Sequence, residues 1–148
     1  MSSYEQSTGF LVVRTARSMK KVLDARLSEY GITSSQHSVL YTLAQTDGLS
    51  LSEIGKRVFL DKPAITGLAD RLEKDGYVVR KRTARDRRVI HLWLTDKGRQ
   101  LLKEFEDVVA TTDQELIQQL SPDELGSFRD MLNRIWRQAN NTDTANVS

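Results

Sequence analysis

The chain has 148 residues, of which 39% are hydrophobic and 28% charged, and it contains no cysteine. This size and composition fit one globular domain, and the lack of cysteine excludes disulfides, thiol catalysis and thiolate metal sites. Basic side chains outnumber acidic ones by 16 to 10 in residues 1–94 but are outnumbered by 10 to 6 in residues 95–148. The first part of the chain therefore suits a polyanionic partner.

Neither a membrane span nor an export signal is expected. No apolar segment approaches the roughly 20 residues that a helix needs to cross a bilayer. The first six residues lack the basic stretch followed by an apolar one that a secretory signal has. We therefore expect a cytoplasmic protein with no membrane partner.

A long amphipathic helix and a second, capped helix are predicted first. Apolar residues recur every three or four positions from Phe10 to Tyr30, and Gly31 suits the end of that helix. Thr33 and Gln36 then have the spacing of a capping box, in which each side chain bonds to the backbone of the other residue. A second helix therefore begins near Thr33.

Two shorter helices follow. Ser50 and Glu53 form a second capping box, which opens a helix of about two turns. Asp61 can cap the next helix, and Pro63 is tolerated in its first turn because the amide groups there lack partners within the helix. This fourth helix ends near Asp75.

A basic hairpin comes next. Strand-forming residues fill 77–80 and 89–94, and the polar segment between them predicts a turn. Six of the nine residues from Arg80 to Arg88 are basic, and only Asp86 is acidic. Such a density of like charge repels itself unless an anion docks against it, and the phosphate backbone of nucleic acid is the obvious candidate.

The last third of the chain predicts two more helices. Thr95 can start a long one, and Ser121, Pro122 and Glu124 are the residue types favoured at the start of another. We expect the polar residues 140–146 to fray. Four helices, a two-stranded hairpin and two further helices together predict a mainly α (α+β) fold, with a winged helix-turn-helix between N- and C-terminal helices.

Three motifs occur in order: Leu51-Ser-Glu-Ile-Gly55, Asp70-Arg-Leu-Glu-Lys-Asp-Gly-Tyr77, and Asp86-Arg-Arg88 followed by Leu94-Thr-Asp-Lys-Gly98. With these motifs the chain resembles the MarR family of bacterial and archaeal transcriptional regulators over residues 10–138. The resemblance implies a homodimer with interlocked terminal helices and two winged modules that read a palindromic operator in double-stranded DNA. It also implies, in many members, a small-molecule effector that releases the DNA.

The same resemblance implies a single domain over residues 1–148. Residues 1–32 and 100–140 would form dimerisation helices, and residues 33–98 the winged helix-turn-helix module. Apolar stripes too long for one small module support the dimer, whereas the alternative is a monomer with a flanking helical subdomain. The residues expected in the dimer interface are Leu11, Val12, Leu125, Phe128, Leu132 and Trp136.

The helix over residues 62–74 is the predicted recognition helix, because base edges in the major groove are reached from the N-terminal part of such a helix. Small side chains at Ala64 and Gly67 would let its backbone approach DNA closely. The alternative is an ordinary solvated helix face. The predicted DNA-binding residues of this helix are Lys62, Pro63, Ala64, Thr66, Gly67 and Arg71.

The hairpin tip is predicted to enter the minor groove, where the negative potential is highest. Arg85 and Arg87 are its probes, and Arg88 is a further DNA contact. We expect Asp86 to hold the loop in shape by pairing with Arg88 or another nearby arginine, because a carboxylate facing phosphate would oppose binding. The alternative is a solvated charge run. Phosphate contacts and salt bridges are the alternatives for Arg80, Lys81 and Arg82.

The start of the second helix is a further candidate for DNA contact. Ser34, Ser35 and Gln36 can donate hydrogen bonds to phosphate, helped by the positive end of the helix. For Ser34 and Gln36, helix capping alone is an equally good explanation.

An effector pocket between the dimerisation helices and the winged module is implied by the resemblance. Arg14 and Arg17 interrupt an apolar helix and could pair with the carboxylate or phenolate of an aromatic ligand, or instead form intersubunit salt bridges. Without cysteine, the organic-peroxide mechanism of this family is excluded. The candidate lining residues are Phe10, Arg14, Arg17, His37, Tyr41 and Phe105.

We expect no metal site, no cofactor and no catalysis. His37 and His91 are isolated, and Tyr41 and Trp93 are expected in the core. No nucleophile elbow or glycine-rich phosphate loop is present. The sequence therefore predicts a sequence-specific DNA-binding regulator, most simply a repressor. The alternative is a winged-helix protein-interaction module that binds no nucleic acid.

Overall fold

The computed structural model describes residues 3–145. The chain divides into two compact units, residues 1–110 and residues 111–148, and the fifth helix begins in the first unit and ends in the second. In chain order the elements are α1 (Thr8–Leu27), a 3-10 turn (Ser28–Tyr30), α2 (Ser34–Gln45), β1 (Leu49–Ser50), α3 (Leu51–Val58), α4 (Lys62–Lys74), β2 (Val78–Arg82), β3 (Ile90–Leu94), α5 (Asp96–Ile117) and α6 (Pro122–Ala145).

The predicted fold class is confirmed, with six helices and a small antiparallel sheet in the part of the chain that the structure describes. The sequence did not predict β1, which has only two residues. The expected fraying after residue 139 was wrong up to Ala145, where α6 ends, and Asn146 lies outside the described residues. The single domain over residues 1–148 stays a prediction, since two compact units are found.

Side chains at the helix starts form the predicted caps. In α2 the Thr33 hydroxyl accepts from the Gln36 amide at 3.2 Å, while the Gln36 side chain accepts from the Thr33 amide at 2.8 Å. Ser121 and Glu124 make the same reciprocal pair at the start of α6, at 3.1 and 3.0 Å. These bonds satisfy amide groups that have no partner within the helix, so they fix where each helix begins.

The sheet has the strand order β1-β3-β2, and both pairings are antiparallel. Val78 pairs with Leu94 and Arg82 with Ile90, so β2 and β3 form a hairpin that projects residues 83–89 as a wing. The added strand β1 pairs with the opposite edge of β3 and joins the wing hairpin to the helix-turn-helix.

The core of the first unit explains why α4 has one free face. Ile65, Ala69 and Leu72 recur at three- and four-residue spacing and are buried against the rest of the winged module. This helix contacts α2, α3 and β2. The opposite face of α4 therefore points away from the core.

A tight joint links the end of α4 to the start of α5. The Thr95 hydroxyl donates to the Gly76 carbonyl at 2.7 Å, and the Lys97 ammonium donates to the Asp75 carbonyl at 2.7 Å. A Cβ on Gly98 would lie 2.3 Å from the carbonyl oxygen of Tyr77, which is too close for any other residue without a backbone shift. The motif Leu94–Gly98 thus clamps the base of the hairpin.

We predict that Gly98→Ala lowers the free energy of unfolding by about 1–3 kcal/mol, because the added methyl group overlaps a backbone carbonyl. Urea denaturation measures this change. Gly126→Ala is the matched control, since a Cβ at Gly126 meets nothing within 4 Å and alanine favours a helix. Equal stability of the wild type and Gly98→Ala would contradict the predicted overlap.

Candidate nucleic-acid interface

The outward face of α4 carries the six residues predicted to read DNA. Asp61 caps the helix by accepting from the Ala64 amide at 2.9 Å, and Pro63 lies in the first turn. Thr66 is half-buried, and its hydroxyl donates to the Lys62 carbonyl at 2.8 Å, so its oxygen keeps acceptor capacity. The five exposed residues of the set are Lys62, Pro63, Ala64, Gly67 and Arg71.

Gly67 is not required by the packing of the chain. A Cβ at this position would meet nothing within 4 Å. A glycine inside a helix costs about 1 kcal/mol relative to alanine. Ala64 lies one turn earlier on the same face and has the next smallest side chain. Together they leave a flat area on α4 that the folded chain itself does not use.

The wing is built around Asp86. Its carboxylate accepts from the Arg88 amide at 3.0 Å and from the Arg88 guanidinium at 3.1 Å. The Thr83 hydroxyl accepts from the Asp86 amide at 3.2 Å, and the Arg82 guanidinium donates to the Arg87 carbonyl at 2.6 Å. Of the arginines considered for Asp86, the structure therefore pairs it with Arg88, whose guanidinium is engaged within the wing.

The arginines of the hairpin fall into two classes. Arg80 contacts Asp70 and lies 3.8 Å from the Glu73 carboxylate, so its charge is neutralised and it ties β2 to α4. Arg85 and Arg87 are exposed, and neither has an ion pair within residues 3–145. Of the two alternatives for Arg80, the structure has the salt bridge. The wing tip therefore carries two unpaired positive charges.

The start of α2 does not fit the predicted phosphate contact. Ser34 and Gln36 are only 7% and 3% exposed, and the Gln36 side chain is used in the helix cap. The Ser34 amide donates to the Asp24 carboxylate at 2.6 Å, so a carboxylate of α1 already occupies the place of an anion. The prediction was therefore wrong for Ser34 and Gln36 as exposed donors. Ser35 is half-buried.

Sequence patterns do not reveal this role of Asp24, because its partner lies ten residues away in another helix. Burial raises the pKa of Asp24, but hydrogen bonds from Ser34 and Lys20 outweigh it and hold the pKa below its ordinary value. The carboxylate therefore stays charged at neutral pH and links α1 to α2.

Three of the predicted effector-pocket residues come together. The His37 ring lies 6.2 Å from that of Tyr41 and 6.1 Å from that of Phe105. Burial lowers the pKa of His37, so its imidazole is neutral at pH 7. Phe105 is fully buried and belongs to the core, whereas Tyr41 is 54% exposed. The expectation that Tyr41 and Trp93 are core residues was wrong, since Trp93 is 39% exposed as well.

The other predicted pocket residues lie on α1. The Arg14 guanidinium is 5.7 Å from the centre of the Phe10 ring, which also contacts Tyr4 at 5.2 Å. Arg17 is exposed. Five of the six residues thus form two groups, one around His37 and one around Phe10. The exposure of the two arginines is compatible with both alternatives, a ligand anion and an intersubunit salt bridge.

Exposed apolar side chains mark both terminal helices. On α1, Leu11, Val12 and Val13 are 37–48% exposed. On α6, Leu125 is half-buried, and five other large apolar side chains are 37–54% exposed. The expected dimer interface included most of these residues but not Val13, Met131 and Ile135. The exposed residues of α6 are Phe128, Met131, Leu132, Ile135 and Trp136.

Residues 3–145 contain neither a membrane-spanning helix nor a cluster of metal-binding side chains. No helix of this range combines the length and the apolar character that a bilayer crossing demands. Nor does this range bring together three His, Asp or Glu side chains that would hold a metal ion. His91 is half-buried, and its Nδ1 lies 2.9 Å from the Gly48 carbonyl oxygen.

The chain is similar to known transcriptional regulators. Residues 32–90 match the MarR family, and 99 residues are 38% identical to the HTH-type transcriptional regulator TtmR of Methylorubrum extorquens. The chain belongs to the MarR family. The relatives that match this chain, such as TtmR, are transcriptional regulators, which confirms that the chain is not an enzyme. The match with TtmR covers 67% of this chain but only about half, 51%, of TtmR.

Solved structures of MarR-type proteins share the fold over most of the chain. The complex of S. aureus MepR with DNA matches with a TM-score of 0.79 and 27% identity, over 89% of this chain and 98% of MepR. PcaV of Streptomyces coelicolor, bound to its natural ligand, matches with a TM-score of 0.81 and 27% identity, over 94% of this chain and 98% of PcaV. The winged helix-turn-helix prediction is confirmed.

We predict that the Asp86–Arg88 contact of this MarR-family wing persists in acid. Hydrogen bonds from Arg88 hold the pKa of Asp86 below its ordinary value. The contact is therefore complete above the ordinary carboxyl pKa and is lost only as the pH falls through the lowered one. NMR titration of the Asp86 carboxyl carbon and the Arg88 amide measures the midpoint. The pH midpoint of the Asp86 titration should rise in the Arg88→Ala control. A wild-type midpoint at the ordinary carboxyl pKa would refute the pairing.

Proposed function

We propose that this protein is a homodimeric repressor that binds a palindromic DNA operator and releases it when a small aromatic or phenolic acid binds. The observation that carries the proposal is the wing tip, where Arg85 and Arg87 are exposed and unpaired while Arg80 and Arg88 are neutralised by acidic neighbours. A folded chain gains nothing from two free cations in one short loop, whereas a phosphate backbone attracts them.

The outward face of α4 supports a role in the major groove. Lys62 and Arg71 are exposed there and can donate to phosphate or to guanine, and Thr66 keeps a free acceptor. The flat area at Ala64 and Gly67 permits close approach of the helix backbone. The Arg80 salt bridges to Asp70 and Glu73 hold the wing hairpin against the same helix, so both would engage adjoining grooves together.

Two apolar faces support the homodimer. The exposed residues of α1 and those of α6 would each lose contact with water in an interface with a second copy. A two-fold axis would then place two α4 helices in successive major grooves, with half-sites about 10–10.5 base pairs apart. Blocking a promoter in this way is the simplest mechanism of repression. A cytoplasmic location goes with that role.

The effector part of the proposal rests on α1 and α2. His37 and Tyr41 present ring faces beside the core residue Phe105, and Arg14 and Arg17 offer exposed guanidinium groups on the neighbouring helix α1. An aromatic acid has a ring for the first group and an anion for the second. PcaV, which has this fold, binds a natural ligand.

Selection of bound duplexes from a random DNA pool, at moderate salt with excess competitor, tests this function. A palindrome should be recovered, the protein should sediment as a dimer, and a salicylate-like acid should weaken binding to the selected site. Arg87→Ala is the control variant, which should weaken binding to all sequences and reduce its salt dependence. Recovery of no sequence by folded wild-type protein would favour a protein-interaction module instead.

We predict that Gly67→Ala separates DNA binding from stability. The added methyl group meets no atom of the chain, so the free energy of unfolding should rise by up to about 1 kcal/mol. Affinity for the selected operator should fall about tenfold or more, because the methyl group holds α4 away from the bases. Fluorescence anisotropy measures the Kd. Gly126→Ala is the control, and unchanged affinity of Gly67→Ala would contradict the close approach.

A further inference from the structure

Phe59 is the residue whose conformation the fold explains least. It ends α3 with φ 60° and ψ 42°, and among residues 3–145 it is the one non-glycine residue in the left-handed region. Bulky side chains rarely adopt this region, because the Cβ approaches the backbone carbonyl. Its side chain is also 76% exposed, more than the other large hydrophobic residues of that range.

The left-handed turn itself is required by the helix-turn-helix. The Leu60 amide donates to the Gly55 carbonyl at 2.9 Å, which closes the end of α3. A Cβ at Gly55 would lie 2.9 Å from the Leu60 carbonyl oxygen, so the chain passes close to α3 before it enters α4. Glycine or asparagine is the usual residue at such a turn. The fold therefore demands the conformation but not a phenylalanine.

Phe59 thus destabilises the free protein in two ways. The backbone is strained, and a large apolar surface is left in water, where it contributes no core packing. Phe59 precedes Lys62, the first residue of α4, by three positions, which limits their Cα distance to at most about 11 Å. The N-terminal turn of α4 is the part that the proposed function places at base edges.

We propose that Phe59 is a specificity residue that packs its ring against the C5-methyl group of a thymine in the operator. This inference rests on the proposed function, since it needs α4 in the major groove. The methyl group of thymine is the apolar feature of that groove, and phenylalanine is among the side chains that contact it. Strain at Phe59 would then be offset in the complex and not in the free protein.

The test is a cycle of protein and DNA changes on the selected operator. Phe59→Gly and Phe59→Asn remove the ring with residues that tolerate the left-handed region, so the midpoint of thermal unfolding should be at least that of the wild type. Each thymine is replaced in turn by uracil, which lacks only the methyl group. Thymines that the ring does not reach are the internal control, because their replacement should change the Kd of the wild type and of the variants equally.

One uracil position per half-site should weaken wild-type binding about fourfold, the value of one buried methyl-sized group. That position should have no effect on the two Phe59 variants. Because the variant dimer lacks both rings, its affinity for thymine DNA should equal that of the wild type for DNA with uracil at this position in both half-sites. Equal Kd values of the wild type and the variants, or variants that still respond to every uracil, would overturn the inference. If the wild type binds no DNA, the proposed function fails and not this assignment alone.

Discussion

The burial of one face of α4 is the constraint on which the rest of the winged module depends. Ile65, Ala69 and Leu72 fix the rotation of the helix about its axis, because turning it would expose them to water. Once that rotation is set, the opposite face must point outward. The ion pairs of Arg80 with Asp70 and Glu73 then attach the wing hairpin to the same helix. Core burial and these ion pairs together thus fix α4 and the wing relative to each other.

The basic side chains of the wing hairpin differ in whether they have an acidic partner. The hairpin contains six basic residues, of which Arg80 and Arg88 have acidic partners, whereas Arg85 and Arg87 at its tip have none within residues 3–145. The Asp86 carboxylate accepts hydrogen bonds from the guanidinium and the amide of Arg88, so it shapes the loop without facing a phosphate. At the start of α2 a carboxylate is used differently, since Asp24 accepts from the Ser34 amide and occupies the helix N-terminus where another anion could bind.

Local patterns predicted most of the fold, and contacts distant in sequence account for the errors. The caps at Thr33 and Ser121 depend on residues three positions apart, so the sequence alone identifies them. The outward set on α4 followed from helical periodicity. Neither rule reveals that Asp24 reaches Ser34, or that the hairpin leaves Trp93 39% exposed. Those facts depend on how helices and strands pack, which no short window of sequence contains.

Two residues around the start of α4 are chosen against the stability of the folded chain, and in opposite directions. Gly67 occupies a helical position where alanine would be better, while Phe59 occupies a left-handed turn where glycine would be better. Neither residue is stabilised by contacts within the chain, since Gly67 faces open space and Phe59 is 76% exposed. Under the proposed function both choices have one reason, since Gly67 lets α4 approach DNA closely and the ring of Phe59 reaches a base. The local rules of folding would then fail on this short stretch because its residues serve a partner outside the chain.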